Sequence, residues 1–155
     1  MTQVINLLSW ELEAIEDAPP GHRFRIGAAG HALGATLTGF SVYELEPGEA
    51  TWPYHFELNE EEWLIVVAGE VTLRTPDGER ILRVGDVACF PVGAAGAHAM
   101  RNAGLSTARF AMPCSNARYG DACVYPESGK VKVSGPGFQH RGRLGEPVGY
   151  WEGES

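Results

Sequence analysis

Two histidines and two glutamates stand at spacings that can bring four metal-binding side chains to one point. His55 and Glu57 are two residues apart, so on a β-strand both side chains lie on the same face. A loop over residues 58–61 would reverse the chain, so that Glu62 opens the next strand and points back toward them. His98 follows after a turn rich in glycine and alanine. The four side chains are candidates to converge in one cavity.

Imidazole nitrogen and carboxylate oxygen together suit a single divalent ion. Zinc, manganese, iron and nickel all accept such mixed ligand sets. The same groups also fit a metal-free cavity, in which they hydrogen-bond to one another or to a ligand. Both interpretations stay open on the residues alone, and the pattern assigns no catalytic residue.

Short strands joined by tight turns must position these residues. Pro76-Asp77-Gly78 separates two strand-like segments and predicts a β-hairpin. Similar short segments recur along the chain without a helical period, which is typical of an antiparallel sandwich or barrel. A further strand is expected near residues 130–133. The sequence therefore predicts an all-β fold.

Several apolar residues are candidates for the interior wall of such a barrel: Phe90, Met100, Phe110 and Met112. Strand alternation places Trp52 beside His55 only if Pro53 interrupts the strand. We expect a small, partly apolar organic ligand in this cavity.

Length and composition indicate one globular domain. The chain has 155 residues, 44% of them hydrophobic, with 20 glycines and 10 prolines. The formal net charge of -8 argues against nucleic acid and anionic membranes as partners and favours a neutral or cationic small molecule. No apolar run approaches the length of about 18 residues that a membrane span needs, and the first residues lack the pattern of a signal peptide. We expect a cytoplasmic protein.

The remaining histidines and the cysteines offer weaker candidates. The cysteines show no metal-ribbon or thioredoxin spacing, and we expect them to be buried apolar residues: Cys89, Cys114 and Cys123. Cys89 precedes Phe90 and is the one with a chance of lining the cavity. Three histidines fall in segments rich in glycine or proline, where we expect surface loops: His22, His31 and His140.

The motifs around the four candidate ligands resemble those of the cupin superfamily. The first motif is matched by Gly48, His55, Glu62 and Gly69. The second is matched by Gly85, Pro91, Gly93, His98 and Asn102. Glu57 stands where that family usually has a second histidine. The wider chain is similar to a subgroup of small bacterial cupins.

This resemblance implies a double-stranded β-helix, the jelly-roll barrel, formed by one cupin domain over residues 1–155. We expect the barrel core at about 34–126, an N-terminal arm at 1–33 and a C-terminal extension at 127–155. The resemblance also implies a homodimer and a divalent metal ion held by His55, Glu57, Glu62 and His98.

Glu57 changes the expected chemistry of this site. Two carboxylates and two neutral imidazoles cancel the charge of a divalent ion, and the extra oxygen shifts the preference toward manganese or iron, with zinc and nickel as the other candidates. Without a metal, Glu57 and Glu62 would repel each other, and at least one should hold a proton near neutral pH.

Three functions fit the sequence. The first is a metal-dependent cupin enzyme acting on a small molecule, in which one carboxylate also serves as general base. The second is a metal-free module that binds or senses a small molecule. The third is a dimeric scaffold without catalysis. Because the cupin fold hosts many reactions, the resemblance does not select an oxygenase, isomerase or lyase activity.

Overall fold

The computed structural model describes residues 2–115 and 120–154 of the chain. It is almost entirely β-structure, as the sequence predicts. The first seven strands are β1 (Glu13–Ala14), β2 (Arg25–Gly27), β3 (Thr38–Leu45), β4 (Phe56–Glu57), β5 (Glu62–Ala68), β6 (Glu70–Thr75) and β7 (Gly78–Arg83). The remaining strands are β8 (Val87–Phe90), β9 (Ala99–Arg101), β10 (Ala108–Ser115), β11 (Asp121–Tyr125), β12 (Lys130–Gly135) and β13 (Phe138–Arg143). A short helix, α1 (Ala29–Ala32), precedes β3, and one 3-10 turn covers Ala94–Gly96.

The strands form three antiparallel sheets. The largest sheet has six strands in the order β1-β2-β3-β10-β5-β8. The second sheet has the strand order β13-β12-β11-β4, and the third has the order β7-β6-β9. The connections repeatedly cross from one sheet to another, as in a jelly roll. This arrangement confirms the predicted fold class.

The predicted hairpin is present. Strands β6 and β7 pair from Glu70 opposite Arg83 to Thr75 opposite Gly78, with Pro76 and Asp77 in the turn. Gly78 has a φ of 113°, a backbone conformation that glycine adopts without steric cost. The turn chemistry therefore fixes the register of this pair.

The hydrophobic core lies between the sheets. Leu45, Leu64 and Phe110 are fully buried, and the ring of Tyr43 stacks on Phe110 with a centroid separation of 5.2 Å. All four apolar side chains predicted for the interior wall are buried: Phe90, Met100, Phe110 and Met112. The core therefore forms one continuous cluster behind the candidate site.

Segments from both ends of the chain join these sheets. Near the N-terminus, β2 pairs with β3, and the buried Arg109 guanidinium donates hydrogen bonds to the carbonyls of Leu8 and Trp10. Near the C-terminus, β12 and β13 extend the sheet that contains β11 and β4. These additions bring residues from distant parts of the sequence close to the predicted site.

No helix within residues 2–115 and 120–154 is long and apolar enough to cross a membrane.

Candidate metal centre

All four predicted ligands line one cavity of about 190 Å³. The other lining residues are Tyr43, Trp52, Met100, Met112, Cys123, Tyr125, Lys132 and Arg141. His55 directly precedes β4, Glu57 ends it, and Glu62 opens β5. His98 directly precedes β9. The candidate ligands thus belong to segments associated with three different sheets.

The two histidines are paired through their backbones. The His55 amide donates to the His98 carbonyl at 3.1 Å, and the His98 amide donates to the His55 carbonyl at 2.8 Å. Each side chain also places its Nδ1 beside a backbone oxygen, that of Pro53 for His55 at 2.7 Å and that of Gly96 for His98 at 2.9 Å. Because a carbonyl only accepts hydrogen bonds, Nδ1 carries the proton in both rings. Nε2 is then the free lone-pair atom, and it faces the cavity.

Each carboxylate lies near one of these Nε2 atoms. Glu57 Oε1 is 3.7 Å from His55 Nε2, and Glu62 Oε2 is 3.3 Å from His98 Nε2. Three buried polar atoms at this point have no hydrogen-bond partner among the described residues: Glu57 Oε2, Glu62 Oε2 and His98 Nε2. Buried polar atoms are rarely left unpartnered, because each carries the cost of its lost hydration. The donor set therefore fits a cation placed between the side chains.

The four candidates fall into two overlapping groups. Ligand atoms of His55, Glu62 and His98 all lie within 4.8 Å of one another. A second group with the same spacing contains His55, Glu57 and Cys123. Three of the predicted ligands therefore cluster around one point, while Glu57 approaches His55 from the side of Cys123.

Burial governs the protonation of this site. Burial, with a smaller contribution from the neighbouring His98, lowers the pKa of His55 to about 4. The His55 ring is therefore neutral at pH 7. Burial also raises the pKa of Glu57 to about 9, with added contributions from the Asp121 and Glu62 carboxyl groups. In the absence of a cation, Glu57 therefore holds a proton near neutral pH, as expected for one of two close carboxylates.

Aromatic rings fix the orientation of both imidazoles. Phe90 stacks on His98 with a centroid separation of 3.9 Å, and Tyr125 stacks on His55 at 5.6 Å. Trp52 also lines the cavity, and its indole N–H donates to the Tyr43 hydroxyl at 3.4 Å. Residues 51–54, which include Pro53, lie outside the strands, so strand alternation is interrupted there, which is the condition under which the sequence places Trp52 beside His55.

Some weaker sequence expectations are wrong. Of the three cysteines expected to be buried, Cys123 is buried, Cys114 is partly buried and Cys89 is exposed. Cys89 does not line the cavity; Cys123 does, because β11 pairs with β4 and places Cys123 opposite Glu57. His31 lies in α1 and His140 in β13, where glycine-rich surroundings had suggested loops. Both of these histidines are exposed, as expected for surface residues.

Sequence reasoning also missed four cavity residues from the C-terminal third of the chain: Cys123, Tyr125, Lys132 and Arg141. A signal was present for Lys132, since Lys130 and Lys132 alternate with Val131 and Val133 and so predict a strand with one polar face. The direction of that face depends on the pairing of β12 with β11. Local alternation does not determine this pairing.

Comparison with known proteins places the fold. Residues 41–113 match the family model described as a cupin domain. No curated protein matches the sequence. A solved structure described as a putative sugar phosphate isomerase from Acidithiobacillus ferrooxidans is 28% identical, with coverage of 79% of this chain and 77% of that chain and a TM-score of 0.72.

Two further solved structures share the fold. A sugar phosphate isomerase of the cupin superfamily from Silicibacter pomeroyi is 21% identical, with coverage of 96% and 98% of the two chains and a TM-score of 0.81. A predicted oxalate decarboxylase from Thermotoga maritima is 19% identical, with coverage of 73% of this chain and 98% of that chain and a TM-score of 0.60. At these identities the likeness concerns the fold.

Proposed function

Because this chain is a small cupin-domain protein, we propose that it binds a divalent metal ion and acts on a small organic molecule in the barrel cavity. Its family and its structural neighbours suggest small-molecule binding or catalysis in general terms. The proposal of a metal centre rests on one observation, the convergence of His55, Glu62 and His98, of which Glu62 and His98 each present a buried atom without a hydrogen-bond partner.

In this proposal, His55, Glu62 and His98 hold the ion, and Glu57 has a different task from the one expected from the sequence. Two imidazoles and one carboxylate leave coordination positions open for water or substrate, and a bound ion supplies Lewis acidity. Manganese, iron, zinc and nickel all fit this donor set. The backbone carbonyls of Pro53 and Gly96 orient the two imidazoles by accepting their Nδ1 protons.

Glu57 is suited to proton transfer. In the metal-free protein its pKa of about 9 keeps the carboxyl group protonated at neutral pH, and its Oε1 lies 3.7 Å from His55 Nε2, at the edge of the cluster. A bound ion would lower this pKa toward neutral pH, where a carboxyl group both gives and takes a proton. A carboxyl group there can donate a proton to a substrate oxygen and take it back from the same face. Met100 and Met112 supply an apolar part of the cavity wall.

The first test is the metal content of protein purified without an affinity tag or chelator, measured by elemental mass spectrometry. We expect near-stoichiometric metal in the wild type and in the control Glu61→Ala, whose side chain is exposed. His98→Ala should lose at least nine-tenths of the metal, on the order expected when a buried ligand is removed. Equal retention in both variants would refute the ligand assignment. Absence of metal after reconstitution would favour the metal-free binding module.

A second test separates the two roles of Glu57. If Glu57 is a proton carrier, Glu57→Gln should bind metal with an affinity within a few-fold of the wild type, because the three ligands are unchanged. If Glu57 is the fourth ligand, the same variant should lose at least about 10- to 100-fold in affinity, which is the loss typical of changes to residues that only support the ligands. Competition against a fluorescent chelator measures the difference.

A further inference from the structure

One row of side chains leads from the candidate metal centre to the outer edge of the cavity. In the sheet β13-β12-β11-β4, Glu57 pairs with Cys123, Cys123 with Lys132, and Lys132 with Arg141. Directly opposed residues on adjacent strands lie on the same face of the sheet. All four side chains line the cavity. Two cations, Lys132 and Arg141, therefore lie in the same cavity as the carboxylates and imidazoles of the candidate metal centre.

The two cations have no ion pair within residues 2–115 and 120–154, unlike several other cations of the protein. Arg74, Arg101 and Arg109 each form an ion pair with a glutamate. Lys132 and Arg141 instead face each other across the strands, although like charges in this arrangement repel. Such an arrangement is stabilised when an anion lies between the two charges.

Arg141 is exposed and lies at the outer end of this row. It lines the inner cavity of about 190 Å³ and, with Trp52 and Tyr125, a neighbouring outer pocket of about 520 Å³. Lys130 lies in the same outer pocket, with its ammonium group 4.9 Å from the centre of the Tyr125 ring. Asp17 is the one acidic residue among the described residues that line this outer pocket, against two cations, so the approach has a positive balance although the chain as a whole has a net charge of -8.

We propose that Lys132 and Arg141 bind the oxyanion, carboxylate or phosphate, of a small ligand whose other end reaches the cluster of His55, Glu62 and His98. The planar guanidinium of Arg141 can bind two oxygens of such a group, and the ammonium of Lys132 supplies a second charge. The position of the reacting end rests on the proposed function. The anion contact itself does not depend on the proposed function, because it needs only the side chains of Lys132 and Arg141 and no bound metal. This ligand class differs from the neutral or cationic one that net charge favours.

Three probes of one carbon skeleton test the inference on metal-free protein: glycerol, glycerate and glycerol 3-phosphate. Their binding is measured by NMR titration at constant ionic strength. We expect one or both anions to bind at least about tenfold more tightly than glycerol, as is typical of charge-assisted hydrogen bonds. The anion that binds more tightly identifies the group as carboxylate or phosphate.

The variants separate this site from general charge effects. Lys132→Met/Arg141→Met should weaken anion binding at least about tenfold. Arg141→Gln alone, at an exposed position, should weaken it several-fold with the fold intact. Arg143→Met is the matched control on the same strand, because its guanidinium donates to the Ser128 carbonyl and does not line the cavity. The control should bind as the wild type does.

The inference is overturned if the anions bind no better than glycerol, or if Arg141→Gln binds as the wild type does. Equal loss in Arg143→Met would also overturn it. Metal content of the same variants distinguishes this outcome from failure of the proposed function. If the protein binds anions but takes up no metal, the anion site is supported and the metal centre is refuted. If it takes up metal but does not bind anions, the metal centre is supported and the anion site is refuted.

Discussion

Single residues of the candidate site differ in how the protein controls their protons. His55 is kept neutral by burial and by His98, whereas Glu57 is kept protonated by burial and by nearby carboxyl groups. The two shifts act on stability in opposite directions. The folded protein binds fewer protons at His55 than the unfolded chain does, and more protons at Glu57.

The pH dependence of metal-free protein should reveal Glu57. Its pKa rises from 4.5 to about 9 on folding, so the free energy of unfolding falls as pH increases within that window. His55 affects the free energy of unfolding mainly between about pH 4 and pH 6.5, where stability rises with pH. Above pH 6.5, the effect of Glu57 dominates. From pH 6.5 to 8, we expect a loss of up to about 2 kcal/mol. Thermal unfolding of chelator-treated protein measures it.

Glu57→Gln is the control for this prediction. The amide has no proton to lose in this range, so its unfolding temperature should stay nearly flat from pH 6.5 to 8. A wild-type slope equal to that of Glu57→Gln would contradict the assignment of the raised pKa.

Asn102 illustrates a motif residue with a structural role. Its side-chain amide donates to the carbonyls of Leu45 at 2.8 Å and Ser106 at 2.9 Å, and its Oδ1 accepts from the Gly104 amide at 2.9 Å. Asn102→Ala leaves these buried groups without partners, and we expect a loss of about 3 kcal/mol in the free energy of unfolding. Urea denaturation measures it. A loss below about 1 kcal/mol would argue against this role.

At the scale of elements, turns and strand pairing decide which residues meet. Gly69 joins β5 to β6 with a φ of 69°, and a Cβ there would lie 2.5 Å from the Thr107 carbonyl oxygen. Gly85 has a φ of 92°, but a Cβ there would meet no atom within 4 Å. Two glycines of the predicted motifs thus share a backbone conformation and differ in the space around them.

Alanine at these two positions should separate backbone strain from steric contact. Gly85→Ala costs strain alone, about 1–2 kcal/mol. Gly69→Ala adds the collision with the Thr107 carbonyl and should be clearly more destabilising. Urea denaturation of both variants provides the comparison. Equal losses would mean that the strand end near Thr107 relaxes at little cost.

Strand elements also explain which parts of the structure were predictable. The relation of His55 to Glu57 follows from local alternation, and the β6–β7 hairpin follows from its turn residues. The spacing of the glycines and histidines identified the fold. The positions of Lys132 and Arg141 in the cavity could not be predicted in this way. They depend on the pairing among β11, β12 and β13, which the alternation of residues along one strand does not determine. Residues 51–54 lie outside the strands, so strand alternation likewise does not determine the position of Trp52.

At the scale of the whole molecule, one buried cation adds to the strand pairing that attaches the N-terminal segment. Arg109 on β10 forms an ion pair with Glu44 at 3.1 Å and donates to carbonyls of the segment near Leu8 and Trp10. Arg109 is only 8% exposed, so its hydrogen bonds are largely shielded from water. This contact links the first ten residues to the middle of the largest sheet.

Removing that cation should loosen the residues that precede β1. Arg109→Leu leaves the Glu44 carboxylate and two carbonyls without their donor, and we expect cleavage within residues 2–14 to accelerate at least several-fold in limited proteolysis. Arg101→Leu is the matched control, because the Arg101–Glu79 pair of 2.7 Å is on the surface and contributes little. Similar cleavage rates in the two variants would contradict a specific role for Arg109.

The reciprocal backbone hydrogen bonds between His55 and His98 have a consequence for the exchange of bound species. The spacing of the two rings is set by main-chain geometry and by the carbonyls behind each Nδ1, before anything enters the cavity. A ligand that arrives between them therefore meets little reorganisation, and one that departs leaves the pair intact. The two imidazoles are thus ordered during folding, and their ordering adds little to the cost of binding.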